Sequence, residues 1–170
     1  MAYCLDSNTF IEAKNRYYGL DFCPAFWEWI DKEASAGRLL CVRVIYDEIV
    51  QGEDELASWM KERRDNGWLC KIDAEDTQSC FRQVVAYVES KRGQYTDDAI
   101  LRFMGRGDPW LIAYCLANGH TLVTHERPQP EAKRRVPIPD VCNALGVRWI
   151  DGFDLLRELK ARFVLDKGGL

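Results

Sequence analysis

Four acidic residues stand where apolar segments of the sequence end or begin. They are Asp6, Glu48, Asp108 and Glu126. Gathering carboxylates in one place is costly without a cation between them, because burial and mutual repulsion both oppose the charged form. If the fold brings the four together, we expect a divalent-metal site whose chemistry is phosphodiester hydrolysis.

The cation that suits such a site is Mg²⁺ or Mn²⁺, because both prefer hard oxygen ligands. Asp6 and Asp108 are predicted as direct ligands and Glu48 as the next. We expect these three carboxyl groups to converge within reach of one ion, and Glu126 to bind a second ion or to act through water. Asp47 lies beside Glu48, and helix phase does not decide which of the two faces the site.

Each acid is also open to a plainer role. Asp6 precedes the first predicted helix and is able to cap it. Asp108 begins an Asp-Pro pair, a strong helix start with aspartate at the N-cap and proline at the first helical position. Glu126 is open to being a solvated loop residue. Capping and metal binding are compatible, since a carboxylate has two oxygens.

Three further residues are candidates for supporting roles. Asn8 and Thr124 are predicted to orient water or a carboxylate by hydrogen bonds. His125 precedes Glu126 and is predicted to support the site or contact phosphate; the alternative is a surface residue, since metal-activated water needs no protein base.

A basic, proline-containing segment follows Glu126. Its cations are Arg127, Lys133, Arg134 and Arg135. Basic side chains next to a metal site hold phosphates, so the segment is predicted to bind RNA, with a solvated loop as the alternative. Arg102 and Arg106, just before Asp108, are open to the same role.

Apolar runs alternate with helical patterns along the chain, which predicts a parallel α/β sheet. Strands are predicted over residues 2–5, 39–44, 68–72, 121–124 and 147–150. Helices are predicted over residues 9–18, 24–37, 44–50, 53–65, 75–91, 95–107, 109–117, 138–145 and 153–163. In such sheets ligands bind outside the carboxyl ends of the strands, where several of the acids fall.

Composition limits the alternatives. With 170 residues and 47% hydrophobic residues, we expect one domain over 1–170. The net charge of −4 provides no overall basic field for nucleic acid, although bound cations invert the local sign. Seven cysteines without a CxxC pair favour a reducing, cytoplasmic protein, and no stretch is long and apolar enough to span a membrane.

The acidic positions, taken in order, resemble the motifs of PIN domains. The matching pieces are Asp6-Ser7-Asn8-Thr9, Glu48-Ile49, Asp108-Pro109-Trp110-Leu111-Ile112-Ala113, Thr124 and Glu126. PIN domains are small metal-dependent ribonucleases that include the VapC-type toxins of bacterial toxin–antitoxin modules. The pieces DSNTFIEAKNRYY, VTHE and IPDVCNALGV resemble a longer VapC-like branch, and Glu126 stands where an aspartate is usual.

This resemblance implies a PIN-like three-layer α/β/α fold with a central parallel sheet of about four to five strands. It also implies an endoribonuclease dependent on Mg²⁺ or Mn²⁺, an RNA substrate, an antitoxin protein as partner and a homodimer. Aromatic residues around Tyr17–Tyr18 and Phe22–Trp29 are open to such contacts, with core packing expected for at least half of them.

Two other functions are weighed against this one. The first is a non-catalytic PIN-like module that only binds RNA or protein. The second is a phosphatase of the haloacid dehalogenase kind, which also begins with aspartate after a first strand. That phosphatase needs a second aspartate at position 8, where this chain has Asn8.

Overall fold

A five-stranded, wholly parallel sheet forms the centre of the molecule in a computed structural model that describes residues 1–165. The strands are β1 (Tyr3–Leu5), β2 (Leu39–Val42), β3 (Leu69–Cys70), β4 (Thr121–Val123) and β5 (Trp149–Ile150). Their order across the sheet is β3-β2-β1-β4-β5, and each neighbouring pair is parallel. The predicted three-layer α/β/α fold is confirmed.

Helices flank the sheet and connect its strands. The α-helices of the described chain are α1 (Ser7–Glu12), α2 (Pro24–Ser35), α3 (Arg43–Val50), α4 (Glu55–Glu62), α5 (Glu75–Ser90), α6 (Asp97–Met104), α7 (Asp108–Asn118), α8 (Ile138–Leu145) and α9 (Gly152–Glu158). A π-helix, Ala13–Tyr17, continues α1. In one layer α5, α7 and α8 pack against one another.

The strands are apolar on both faces because helices cover both sides of the sheet. Cys4 and Leu5 of β1 and Leu122 and Val123 of β4 are all buried. This is why continuous apolar runs, and not alternating ones, identified the strands. The predicted strand over 39–44 is too long, since β2 ends at Val42 and α3 begins at the next residue.

The strand order places a topological switch point between β1 and β4. From β1 the chain moves to β2 and β3 on one side of the sheet, and it returns to form β4 and β5 on the other side. At such a point the connections leave in opposite directions and open a crevice at the carboxyl ends of the strands. Asp6 directly follows β1, and Thr124 directly follows β4.

Helix α7 begins one residue earlier than predicted. Its N-cap is Gly107, so Asp108 is the first helical residue and Pro109 the second. The predicted N-cap role of Asp108 is therefore wrong, and the side chain is not engaged in capping. The side chains of Leu111 and Ile112 are buried in the core. Gly119, at φ 63°, adopts the left-handed conformation and ends the helix.

The surface differs in detail from expectation. Phe26 and Trp27 are buried, whereas Phe22 is largely exposed, so the aromatic residues near α2 are divided between core and surface. The seven cysteines, all within the described residues, form no disulfide. Among residues 1–165, no helix combines the length and the apolar character needed to cross a bilayer.

Candidate functional site

Asp6 is the most deeply placed acid of the site, with 1% of its surface exposed. One carboxyl oxygen accepts the Thr9 N–H at 2.6 Å and thereby caps α1, while the other accepts the Thr124 hydroxyl at 2.7 Å. Burial raises the pKa of Asp6 to about 6, although the hydrogen bonds from Thr9 and Thr124 oppose the rise. Asp6 therefore caps the helix and also lies at the switch point.

Asp108 is partly buried at the start of α7. Within residues 1–165, its carboxyl group has no hydrogen-bond or salt-bridge partner. Burial raises the pKa of Asp108 to about 7, and the charges of Asp6, Glu48 and Glu126 add to the rise. Because such interactions weaken with distance, the four acids lie in one region of the structure.

Glu48, and not Asp47, is the acid of α3 that faces Asp108 and the start of α7. One carboxyl oxygen of Glu48 accepts the backbone N–H of Gly107 at 2.6 Å, which joins α3 to the start of α7. Asp47 instead pairs with Arg43 on the same helix at 2.9 Å, and 48% of its side chain is exposed. Helix phase alone did not distinguish Asp47 from Glu48, and the packing of α3 shows that Glu48 is the inward-facing residue.

Glu126 is the acid supplied by the segment after β4. Its Oε2 accepts the Ile138 N–H at 2.9 Å and lies 2.9 Å from the Arg135 guanidinium. Its backbone N–H donates to the Thr124 hydroxyl at 3.1 Å. Because that hydroxyl also donates to Asp6, Thr124 links two acids of the site, which agrees with the orienting role predicted for it.

A cleft of about 270 Å³ opens over two of the acids, Asp108 and Glu126. Asn8, Asp108 and Glu126 line it together with four arginines, which are Arg102, Arg106, Arg134 and Arg135. The role left open for Arg102 and Arg106 is thus favoured by their position. The sequence indicated this role through their position: Arg102 lies in α6 and Arg106 lies in the turn that leads to Asp108.

Two of the predicted RNA-binding residues are placed elsewhere. Arg127 pairs with Asp151 at 3.0 Å, and this acid caps α9. Lys133 is exposed and is not among the residues that line the cleft. Of the four cations of the basic segment, only Arg134 and Arg135 therefore line the cleft.

His125 points away from the acids, contrary to the supporting role predicted for it. Its ring lies 5.9 Å from the ring of Tyr17 and 5.5 Å from that of Phe153, in a separate small cavity. Successive side chains of an extended segment point to opposite sides, so His125 faces away from the side that Thr124 occupies. Gly152 lies against this ring, and a Cβ there would approach His125 Nε2 to 2.8 Å.

Comparison with protein families gives a match over nearly the whole chain. Residues 3–163 match the family described as a domain of unknown function, DUF4411. The chain belongs to this family. No curated protein matches it.

Solved structures show what fold this DUF4411 chain has. A chain of VapBC2 from Rickettsia felis, bound to a DNA fragment from the promoter, superposes with a TM-score of 0.56 at 11% identity, covering 89% of this chain and 98% of that chain. FitAcB from Neisseria gonorrhoeae gives 0.51 at 15% identity, with 87% and 96% covered. VapBC-1 from nontypeable Haemophilus influenzae gives 0.52 at 16% identity, with 89% and 98% covered. The PIN-like, VapC-like resemblance is confirmed at the level of fold.

The acids of this DUF4411 chain fit a hydrated divalent ion better than a closed metal cage. Among residues 1–165, no three His, Cys, Asp or Glu side chains are already arranged to hold one ion, so the expected convergence of Asp6, Glu48 and Asp108 on one ion is not seen. Mg²⁺ usually keeps several waters and is held through one or two carboxylates. The carboxyl group of Asp108, with no partner in the described chain, is available to such an ion.

Proposed function

We propose that the protein is an endoribonuclease that depends on Mg²⁺ or Mn²⁺ and hydrolyses phosphodiester bonds of RNA. The observation that carries the proposal is the carboxyl group of Asp108, which is partly buried beside three other acids under a cleft lined by arginines. Holding a partly buried carboxyl group beside three other acids costs stability, and a cation that binds it during function accounts for the arrangement.

Each acid is assigned a role from its position in the site. Asp108 and Asp6 hold the metal, Glu48 supports it from α3, and Glu126 supplies ligand or water contacts from the opposite side. A bound divalent ion supplies polarisation of the phosphate and a lowered pKa of the attacking water. Thr124 fixes the Asp6 carboxylate through its hydroxyl hydrogen bond.

The rim of the cleft binds the substrate. Arg102, Arg106, Arg134 and Arg135 present guanidinium groups that suit phosphate oxygens of the RNA backbone. Contacts of this kind position a strand without reading its sequence, and they make affinity depend on salt. Asn8, also on the rim, offers an amide for hydrogen bonds to water or phosphate.

The biological role that we infer is the toxin of a bacterial toxin–antitoxin module. Its support is the VapC-like order of motifs together with the fold shared with chains of VapBC2, VapBC-1 and FitAcB. On this proposal the protein acts in the cytoplasm, forms a homodimer and is bound by a cognate antitoxin protein.

The two alternative functions explain less. A module that only binds RNA or protein gains nothing from the raised pKa values of Asp6 and Asp108, which come first from burial and, at Asp108, also from the charges of the neighbouring acids. A haloacid-dehalogenase-type phosphatase needs a carboxyl group at position 8. Asn8 reaches the cleft but has no proton to give or take in that role.

The test is cleavage of structured RNAs by purified protein with Mn²⁺ or Mg²⁺, and then with chelator. Asp108→Asn and Glu48→Gln are expected to lower the rate by at least about a hundredfold, because each removes a charge next to the metal. Asp47→Asn is the matched control for Glu48, because it removes the same charge from the neighbouring, outward-facing residue.

The proposal fails if chelator leaves cleavage unchanged, or if Asp108→Asn cleaves as fast as the wild type while circular dichroism shows it folded. The toxin role is tested with the same variants by induced expression in a bacterial host. Growth arrest by the wild type and Asp47→Asn, but not by Asp108→Asn, is expected; arrest by all three contradicts a role for cleavage.

A further inference from the structure

Arg135 is set apart from the other arginines of the cleft by its partner. Its guanidinium lies 2.9 Å from Oε2 of Glu126, an acid of the site. Arg102, which also lines the cleft, is paired with Asp98 at 2.7 Å, which is not one of the four acids. Within residues 1–165, Arg135 thus forms the salt bridge between the basic rim and the acidic centre.

The main chain around Arg135 is held at both ends. The Arg134 carbonyl accepts a hydrogen bond from Arg102 at 3.2 Å, and the Ile138 N–H donates to Glu126 at 2.9 Å. Val136 is buried between them. Because the backbone is anchored and 48% of the Arg135 side chain is exposed, a change of partner needs only rotation of that side chain.

The oxygens of Glu126 are used unequally. Both contacts, from Arg135 and from the Ile138 N–H, fall on Oε2. Within the described chain Oε1 has no hydrogen-bond partner, so it is the oxygen available to a cation or to a water of its shell. A divalent ion on that side would lie close enough to repel the guanidinium strongly.

We propose that Arg135 is an exchangeable cation of the cleft. It neutralises Glu126 while no divalent ion is bound, and it turns to a phosphate of the RNA when an ion takes over that task. The inference rests on the proposed function for the identity of the metal and the substrate. It adds that one side chain weakens metal binding and strengthens substrate binding.

The first test measures Mn²⁺ binding to the full-length protein without RNA, by calorimetry or by the electron paramagnetic resonance signal of free Mn²⁺. Arg135→Gln is expected to bind Mn²⁺ roughly threefold to tenfold more tightly, because a competing positive charge has gone. Arg135→Lys keeps the charge and is expected to stay near the wild-type affinity. Arg134→Gln is the matched control, since it lines the same cleft without bonding Glu126.

The second readout is steady-state cleavage. Arg135→Gln is expected to raise KM for RNA at saturating Mn²⁺, although it binds the metal better. A merely structural role would weaken both metal and RNA binding, and a simple RNA contact would leave Mn²⁺ affinity unchanged. Either of those results overturns the inference.

The outcomes separate this inference from the function on which it rests. Mn²⁺ binding of equal strength in wild type and Arg135→Gln overturns the exchange and leaves the metal site standing. Failure of the wild-type protein to bind Mn²⁺ at all overturns the metal site and the exchange together. Tighter Mn²⁺ binding by Arg135→Gln, with Arg134→Gln unchanged within about twofold, supports the exchange.

Discussion

Single residues of the site differ mainly in how their carboxyl groups are satisfied. Asp6 accepts one hydrogen bond on each oxygen, whereas Asp108 accepts none from the described chain. Burial is the largest cause of the raised pKa in both, to about 6 for Asp6 and about 7 for Asp108. On the proposed function a metal ion binds the ionised carboxylates, so that its binding would release the protons that these groups hold near neutral pH.

Mn²⁺ affinity is therefore expected to rise with pH between about 5 and about 7, and to level off above that. The sign follows from the pKa values of Asp6 and Asp108, which lie above the ordinary value of about 3.9. Below them the carboxyl groups are protonated and proton and metal compete. Calorimetric titrations with Mn²⁺ at a series of pH values measure the profile, and an affinity independent of pH over this range would contradict it.

Thr124 provides a sharper test at the same scale. Its hydroxyl hydrogen bond lowers the pKa of Asp6, so Thr124→Val is expected to move the rise of the Mn²⁺ profile to higher pH. Thr124→Ser keeps a hydroxyl group and is the control, with a profile near that of the wild type. A Thr124→Val profile that overlays the wild-type profile means that this hydrogen bond does not tune Asp6.

At the scale of elements, the sequence predicted the sheet well because its strands are continuous apolar runs. β1 and β4 end at the residues before Asp6 and Thr124, so the edge that carries the site was also predictable. Parallel pairing then follows from the helices between the strands. The order β3-β2-β1-β4-β5 and its switch point came only with the structure, since periodicity does not encode which strands are neighbours.

Other features depended on contacts between elements that no local pattern contains. Glu48 is distinguished from Asp47 by the hydrogen bond to Gly107, a residue 59 positions away. Arg127 is drawn to Asp151 at the start of α9, and His125 packs against aromatic rings. These side chains were assigned from their proximity in sequence to Glu126, which does not determine the direction in which each one points.

Gly107 lies at the junction of α3 and α7, a position that no pattern in the sequence marked as important. A Cβ at this position would lie 3.0 Å from Ile45 Cδ1 and 3.4 Å from Glu48 Cδ. Gly107→Ala is expected to push α3 and α7 apart by a few tenths of an ångström. The hydrogen bond from the backbone N–H of residue 107 to the Glu48 carboxylate would then lengthen. Cleavage and Mn²⁺ affinity should fall, with a stability cost of about 1–2 kcal/mol.

The control for that substitution is Gly93→Ala, because a Cβ at Gly93 meets nothing within 4 Å. Urea unfolding gives the stability cost, and Mn²⁺ titration gives the effect on the site. Wild-type Mn²⁺ affinity in folded Gly107→Ala would show that the contact between α3 and α7 does not position Glu48.

At the scale of the whole molecule, the overall charge conceals how the charges are arranged. The net charge is −4, yet four arginines and two acids, Asp108 and Glu126, line one cleft, and the charges of Asp6 and Glu48 act on Asp108 from beside it. Charged side chains of both signs are therefore concentrated near the switch point of the sheet. The acids are held together by the packing of α1, α3, α7 and the segment after β4, so the site is expected to reduce the stability of the metal-free fold.

Asp108→Asn is accordingly expected to stabilise the metal-free protein at pH 7.5. The pKa of Asp108 is raised to about 7 in the folded state, so the folded chain binds this proton more strongly than the unfolded chain. Its contribution to stability is fully present below the unfolded pKa of about 3.9 and is lost as pH rises through about 7. Removing the charge should raise the free energy of unfolding by about 1–2 kcal/mol at pH 7.5, and by little at pH 4.

Thermal unfolding in chelator at the two pH values measures this difference, with Asp47→Asn as the exposed control. A stabilisation of about 1 kcal/mol corresponds to a rise in Tm of about 2–4 °C for a chain of this size. Saturating Mn²⁺ should reverse the order, because ligand binding stabilises the wild type and stabilises Asp108→Asn much less. A lower Tm for Asp108→Asn in chelator at pH 7.5 would instead make Asp108 a residue that supports the fold, and the case for a functional carboxylate there would lose its physical basis.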